Sequence, residues 1–342
     1  MSRPRWVVAL TCAAIPFMAT LPAGQSASPG KTRAAQALPR TSDGQPDLQG
    51  YWTNDSYTPL ERPAEFAGKS HFTPQEAAAF VRGRVDRLEN QSRTDVHYDD
   101  AIWQKENYDK ETNLRTSLIS DPADGKVPPL TDEAKRRQAA DAARRQGRGP
   151  ADSAQDRSNG ERCITWGNVG PPMLPPTYNA NFQILQTADY VMIRHEMVHD
   201  VRLIPIDGRA HATSGVRYLN GDARGHWEGE TLVVDTTNFT SRTPFRGSPS
   251  NTRQDIQSSD RLHVVERFTR ADENTIKYEF TVEDPTTWAK PWSGELPLVK
   301  DKGPIYEYAC HEANYGMANN LKGARAKEKA GEDGKKEQQD QQ

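Results

Sequence analysis

The chain has 342 residues, of which 35% are hydrophobic and 27% charged, and its formal net charge is −3. Lys and Arg are nearly balanced by Asp and Glu, which leaves no basic stripe for a phosphate backbone and no polybasic anchor for anionic lipid, so nucleic acid is not an expected partner. A mean hydropathy of −0.87 allows a core but puts a large polar fraction outside it.

Arg3 and Arg5 precede an apolar run from Trp6 to Leu21, the order of a secretory signal. Pro16 and Pro22 interrupt that run, which is shorter than the ~20 apolar residues of a bilayer span. The expectation is a signal peptide over 1–27, cleaved after Ala23 or Ala27, and a periplasmic or secreted product with no membrane span left. A linker over 28–45 leads to a single β-rich domain over 46–322. Thr73-Pro74-Gln75-Glu76 has the capping-box arrangement and opens a helix to about Asn90. A second helix, Asp132 to Arg145, lacks an apolar stripe and belongs on the surface. Both fall in a helical insertion over 73–160, whose end from Gln146 reads as a loop. The Gln-rich tail over 323–342 reads as disordered.

From Cys163 onward, runs rich in Val, Ile, Tyr, Phe and Thr alternate with short turns, the pattern of an antiparallel meander. Expected strands are Gln183–Gln186, Tyr190–Met197, Val201–Ile206, Thr231–Thr237, Leu262–Arg270, Thr275–Glu283, Gly294–Lys300 and Ile305–Glu312. Crossover helices have almost no room. The fold class is therefore mainly β, an antiparallel barrel or sandwich with one or two N-terminal helices. Gly50-Tyr51-Trp52 resembles the Gly-x-Trp opening of lipocalin-like (calycin) barrels. If Cys12 leaves with the signal, Cys163 and Cys310 remain as a pair in an oxidising compartment and are expected to form a disulfide, two free thiols being the alternative.

His195-Glu196-Met197-Val198-His199 matches the H-E-x-x-H zinc motif in letters, but that motif needs a helix and these flanks are strand-like. On an extended chain the two imidazoles lie some 13 Å apart, too far for one metal. No metal and no cofactor is expected, with a zinc hydrolase at His195 and His199 kept as a third reading. Strand alternation instead places Glu266 on the apolar face of Leu262, Val264 and Phe268, and Glu312 on that of Tyr306, Tyr308 and Cys310. A carboxyl in an apolar cavity has its pKa raised, which suits a general acid. The competing reading pairs each with an arginine, Arg202 or Arg267, as a tie between strands. His263 falls on the face opposite Glu266, and Asp235 and His211 are further candidates for proton transfer. Trp166 and Trp292, with Tyr308 and Asn314, are the expected ligand contacts.

The blocks Glu161 to Gly167, Asp200 to Gly208, His226 to Phe239 and Tyr278 to Trp292 resemble a large family of exported bacterial proteins, over about Pro46 to Arg325. The resemblance implies an all-β secreted domain. It carries no catalytic residues, and the family pattern does not require His at position 195. The functional expectation is a cofactor-independent lyase, dehydratase, isomerase or hydrolase acting on a small apolar or carbohydrate-like molecule inside a β cavity. Glu266, Glu312 and His263 would exchange protons, and Arg202 would hold an oxygen. The alternative is a lipocalin-type carrier.

Overall fold

The computed structural model describes residues 38–89, 113–166, 169–176, 178–241, 258–312 and 314–329. The expected signal peptide and Trp103 lie outside the described residues. So does the tail beyond 329.

The protein is mainly β. Its elements are β1 (Gly50–Thr53), α1 (Pro74–Glu89), β2 (Ile119–Asp121), α2 (Asp132–Arg145), β3 (Asn181–Gln186), β4 (Tyr190–His195), β5 (Val201–Pro205), β6 (Asp222–Glu228), β7 (Thr231–Thr237), β8 (His263–Arg270), β9 (Thr275–Glu283), β10 (Trp292–Lys300) and α3 (Tyr315–Lys329). The strands form one antiparallel sheet in the order β5-β4-β3-β1-β10-β9-β8-β7-β6, with β2 paired to β10. This sheet curls into an almost closed barrel, which decides between the barrel and the sandwich.

Alternation builds the core. Val264, Glu266, Phe268 and Arg270 of β8 are buried, as are Ile276, Tyr278, Phe280 and Val282 of β9, while the intervening side chains reach solvent to varying degrees. Burying an aromatic or branched side chain stabilises by about 1.5–3 kcal/mol each, so two such faces dictate which side of the sheet turns inward. Trp52 on β1, the strand joining the two halves of the sheet, is fully buried and donates its indole N–H to Leu48 O at 2.9 Å.

The circle closes where β5 meets β6, and there the two strands lie side by side without ladder hydrogen bonds. Gly225 makes the approach possible, because a Cβ on it would stand 2.7 Å from Ile206 and 3.0 Å from Ile204.

Both expected helices are present. Thr73 N donates to Glu76 at 2.8 Å and Glu76 N to Thr73 Oγ1 at 3.3 Å, the reciprocal cap of α1. The Thr131 hydroxyl accepts from Ala134 N and caps α2, on which Ala134 is the buried residue. The expected strand Ile305–Glu312 is absent: Gly303-Pro304 starts an irregular segment that pairs with no strand. Gly323 lies within α3 rather than in a disordered tail, and Arg325 ties that helix to Ala151 and Asp152 carbonyls. Met197–His199 is a tight turn, not a continuation of β4.

One barrel end is covered by irregular chain. Cys163 and Cys310 are joined by a disulfide, their Cα atoms 5.7 Å apart. Around it Val169, Met197 and Val198 form a second, small hydrophobic cluster with Trp166, Tyr178 and Tyr308. Met173 and Leu174, by contrast, belong to the main core. Gly170 turns this segment inward at φ +68°, where a Cβ would meet the Pro172 backbone at 2.7 Å.

Candidate functional site

Two polar clusters stand out, one inside the barrel and one on its outer face. Inside, Arg202 reaches from β5 to Glu266 on β8 and grips both carboxylate oxygens, Nη1 to Oε1 at 3.0 Å and Nη2 to Oε2. The Tyr278 hydroxyl donates to the same Oε1 at 2.8 Å and accepts from Met173 N at 2.8 Å. Glu266 and Tyr278 have no exposed surface and Arg202 only 5%. Burial opposes the charge on Arg202, but Glu266 beside it raises its pKa above the ordinary value. Burial, and then the Glu266 charge, push the Tyr278 hydroxyl well above its ordinary range. The arginine-paired arrangement of Glu266 is thus the one adopted.

His195 closes this interior group. It turns into the barrel from the end of β4, its ring centred 5.6 Å from that of Phe182. Burial, followed by the nearby charge of Arg202, lowers its pKa to about 3, so the ring is neutral. Neither ring nitrogen has a hydrogen-bond partner among the described residues. The turn that follows reverses the chain through Val198 at φ 51° and His199 at φ 44°, left-handed conformations that cost about 1–3 kcal/mol at non-glycine residues. His199 consequently points the other way, its Nδ1 2.8 Å from Tyr308 O. Glu196 is buried between them and accepts from Asn179 Nδ2 at 2.6 Å and Tyr306 N at 3.0 Å. The H-E-x-x-H letters therefore occupy a strand end and a strained turn. Among the described residues no group of three or more His, Cys, Asp and Glu is arranged to hold a metal ion.

On the outer face, β8 offers His263 and β7 offers Asp235. The His263 Nε2 lies 2.9 Å from Asp235 Oδ2, and the His211 Nε2 lies 3.0 Å from Asp235 Oδ1. His211 Nδ1 is 3.2 Å from Asp222 Oδ2, which also accepts from Ala212 N at 2.7 Å, and Arg224 holds the other Asp222 oxygen. The hydrogen bond that His263 donates to Asp235 raises the His263 pKa above its ordinary value despite partial burial, and the same bond holds Asp235 below the usual carboxylate range. Burial works against the charge of Asp222, but its bonds to Ala212, His211 and Arg224 keep it depressed. His211, Asp235 and His263 have side chains 28%, 39% and 36% exposed, so this cluster touches solvent.

The structure brings together three of the expected proton carriers, His263, Asp235 and His211, and separates them from Glu266 and Arg202, which share the barrel interior. Glu312 belongs to neither group: it is exposed in the turn after Cys310, since the strand meant to point it inward does not form. Of the expected ligand contacts, Trp166 and Tyr308 pack near the disulfide, and Asn314 donates to Glu161 O at 3.2 Å while accepting from Met317 N at the start of α3. Trp292 is core, its ring 5.8 Å from Trp288 and 5.9 Å from Phe280. Sequence reasoning missed Tyr278 and Asp222. The first was detectable, because Ile276, Tyr278, Phe280 and Val282 alternate on one face of an expected strand. The second was not, because β6 (Asp222–Glu228) has Arg, Gly and His at its centre, with no apolar residue there to mark an alternation, and is not among the expected strands.

No family model, curated protein or solved structure matches the chain.

Proposed function

We propose that the protein is an exported, cofactor-independent enzyme that moves protons on a small molecule, and that His263, Asp235 and His211 carry the chemistry at the outer face of the barrel. The observation behind this is one carboxylate holding two imidazoles, at 2.9 and 3.0 Å, where solvent reaches all three. A carboxylate that receives an Nε2–H fixes the ring's tautomer and orientation and stabilises the imidazolium. The Nδ1 of His263 then faces outward, 3.8 Å from Glu283 and so beyond direct hydrogen-bond reach. With its pKa raised, His263 keeps a larger protonated share near neutral pH and suits a general acid.

Glu266 drops out as a proton carrier because Arg202 and Tyr278 occupy its oxygens. The reaction classes that remain are elimination, isomerisation and hydrolysis of a small apolar or carbohydrate-like molecule. The disulfide is compatible with export, because such bonds persist in oxidising compartments.

The test is a screen of chromogenic esters, glycosides and enolisable ketones between pH 5 and 9, with wild type and His263→Gln side by side. The expected result is turnover that falls about 10²–10⁴-fold in His263→Gln, the usual range for one acid–base group, with an unchanged circular dichroism spectrum. Turnover that survives both His263→Gln and Asp235→Asn overturns the assignment.

A further inference from the structure

Beneath the Gly170–Leu174 segment, the barrel interior carries a ring of linked side chains. Asn54 Nδ2 donates to Met173 O at 3.1 Å and to Leu174 O at 3.3 Å. Met173 N donates in turn to the Tyr278 hydroxyl, Tyr278 to Glu266, and Arg202 to Glu266. Arg202 is paired across the sheet with Ile193, two residues before His195 on β4, and the His195 ring lies against Phe182. Phe182 is paired across the sheet with Trp52, two residues from Asn54, so the ring comes back to its start.

Two members of this ring hold atoms with nothing to bond. Asn54 Oδ1 and both nitrogens of His195 are buried and lack a hydrogen-bond partner among the described residues. Native interiors rarely leave such groups unpaired, and each one calls for an explanation. They sit at the same barrel end, because Asn54 N bonds Ala180 O and Glu196 N bonds Asn181 O on the strand between them. The cover above them is a short segment secured to Asn54 and Tyr278; Met173 and Leu174 are both buried beneath it, and Met173, fully buried, is an unbranched thioether that adapts readily to a changed neighbour.

We propose that this ring is the floor of a binding site for a small uncharged molecule with an apolar body and one hydroxyl, amide or carbonyl group, which takes the place of the Met173 side chain when Gly170–Leu174 lifts. A charged guest is disfavoured, because Arg202 and Glu266 already neutralise each other and a further buried charge would be left unpaired. A neutral imidazole offers one donor and one acceptor, and Asn54 Oδ1 a further acceptor, so a guest hydroxyl can accept from the imidazole N–H and donate to one of the two acceptors. The site is separate from the outer His263–Asp235–His211 cluster and does not rest on its assignment.

The test titrates phenol and benzene, two guests of similar body and different hydrogen-bonding capacity, into wild type, Met173→Ala and Met173→Ala/His195→Leu by calorimetry and NMR. Met173→Ala is expected to bind phenol at least ten-fold more tightly than wild type and at least ten-fold more tightly than benzene. The added His195→Leu change should remove that preference. Phenol should also shift the His195 ring ¹⁵N resonances of Met173→Ala while benzene does not, a readout that stands even if the double variant fails to fold. Equal affinity for the two guests, phenol saturation without movement of the His195 resonances, or no binding of either guest to Met173→Ala overturns the proposal. His263→Gln should leave phenol binding unchanged, so failure of the outer-face chemistry and failure of this site are told apart.

Discussion

One strand supplies both polar clusters, and the difference between them is burial. β8 sends Glu266 inward and His263 outward, three residues apart, and each meets a partner of opposite character. The inner carboxylate is wrapped by a guanidinium and a phenol and has no solvent contact. The outer imidazole has a similarly firm partner in Asp235, yet it keeps an accessible edge. Buried ion pairs with saturated hydrogen bonds hold structure together, whereas half-exposed ones can exchange protons. Chemical type alone would have assigned the two groups to one site.

The sharpest way to break this contrast is to delete one inner partner. Glu266→Ala should destabilise the protein by about 3–5 kcal/mol in urea denaturation, because it strands the Arg202 charge in the core, and replacing both residues with apolar ones should recover most of the loss. An inner pair that tolerates Glu266→Ala would not be the tie described here. Next in size is the disulfide that encloses 147 residues of sequence separation, whose reduction should lower the unfolding free energy by about 2–4 kcal/mol in paired melts with and without reductant.

The two imidazole environments then separate by pH. His195 has a folded pKa of about 3 against an ordinary 6.5, so the unfolded chain takes up a proton that the folded chain refuses. Stability is lost as pH falls below 6.5, by roughly 2 kcal/mol at pH 5. His263 has the opposite sign: its folded pKa is raised, so its contribution is complete below 6.5 and fades as pH rises through the folded value. Denaturation curves at pH 5, 7 and 8.5 should therefore show His195→Leu flattening the acid side and His263→Gln flattening the alkaline side. The smallest effect belongs to Asp235→Asn. At pH 7 it should cost less than about 1 kcal/mol, as expected of a solvent-screened pair. A cost several times larger would move Asp235 into the structural class.

Most strand positions and the α1 cap were legible in the sequence because they rest on local pattern, and the disulfide because only two cysteines follow the apolar N-terminal run. Alternation marked β7 and β9 at both ends, and Thr73 and Glu76 announced α1. Glu312 was misplaced for an instructive reason: Tyr306, Tyr308 and Cys310 alternate as a strand would, but Pro304 and the bond from Tyr306 N to Glu196 draw that backbone out of any ladder. The inner and outer clusters were each visible as parts. Alternation put His263 and Glu266 on opposite faces, and a β8 that pairs regularly along its length keeps them there. What no local pattern carries is the partner across the barrel, since Arg202 and Glu266 meet only once the sheet has curled.

The unbonded joint between β5 and β6 gives that meeting a further significance. With no ladder there, backbone pairing does not set the alignment of the two halves of the circumference. The ladder of β5 with β4 fixes Arg202 on the inner face, so what the joint leaves open is the position of β5 along β6. A shift there would leave Glu266 uncompensated and force Ile204 and Ile206 away from the notch at Gly225. The ion pair and the notch are therefore the contacts that align β5 with the far side of the barrel where no ladder does.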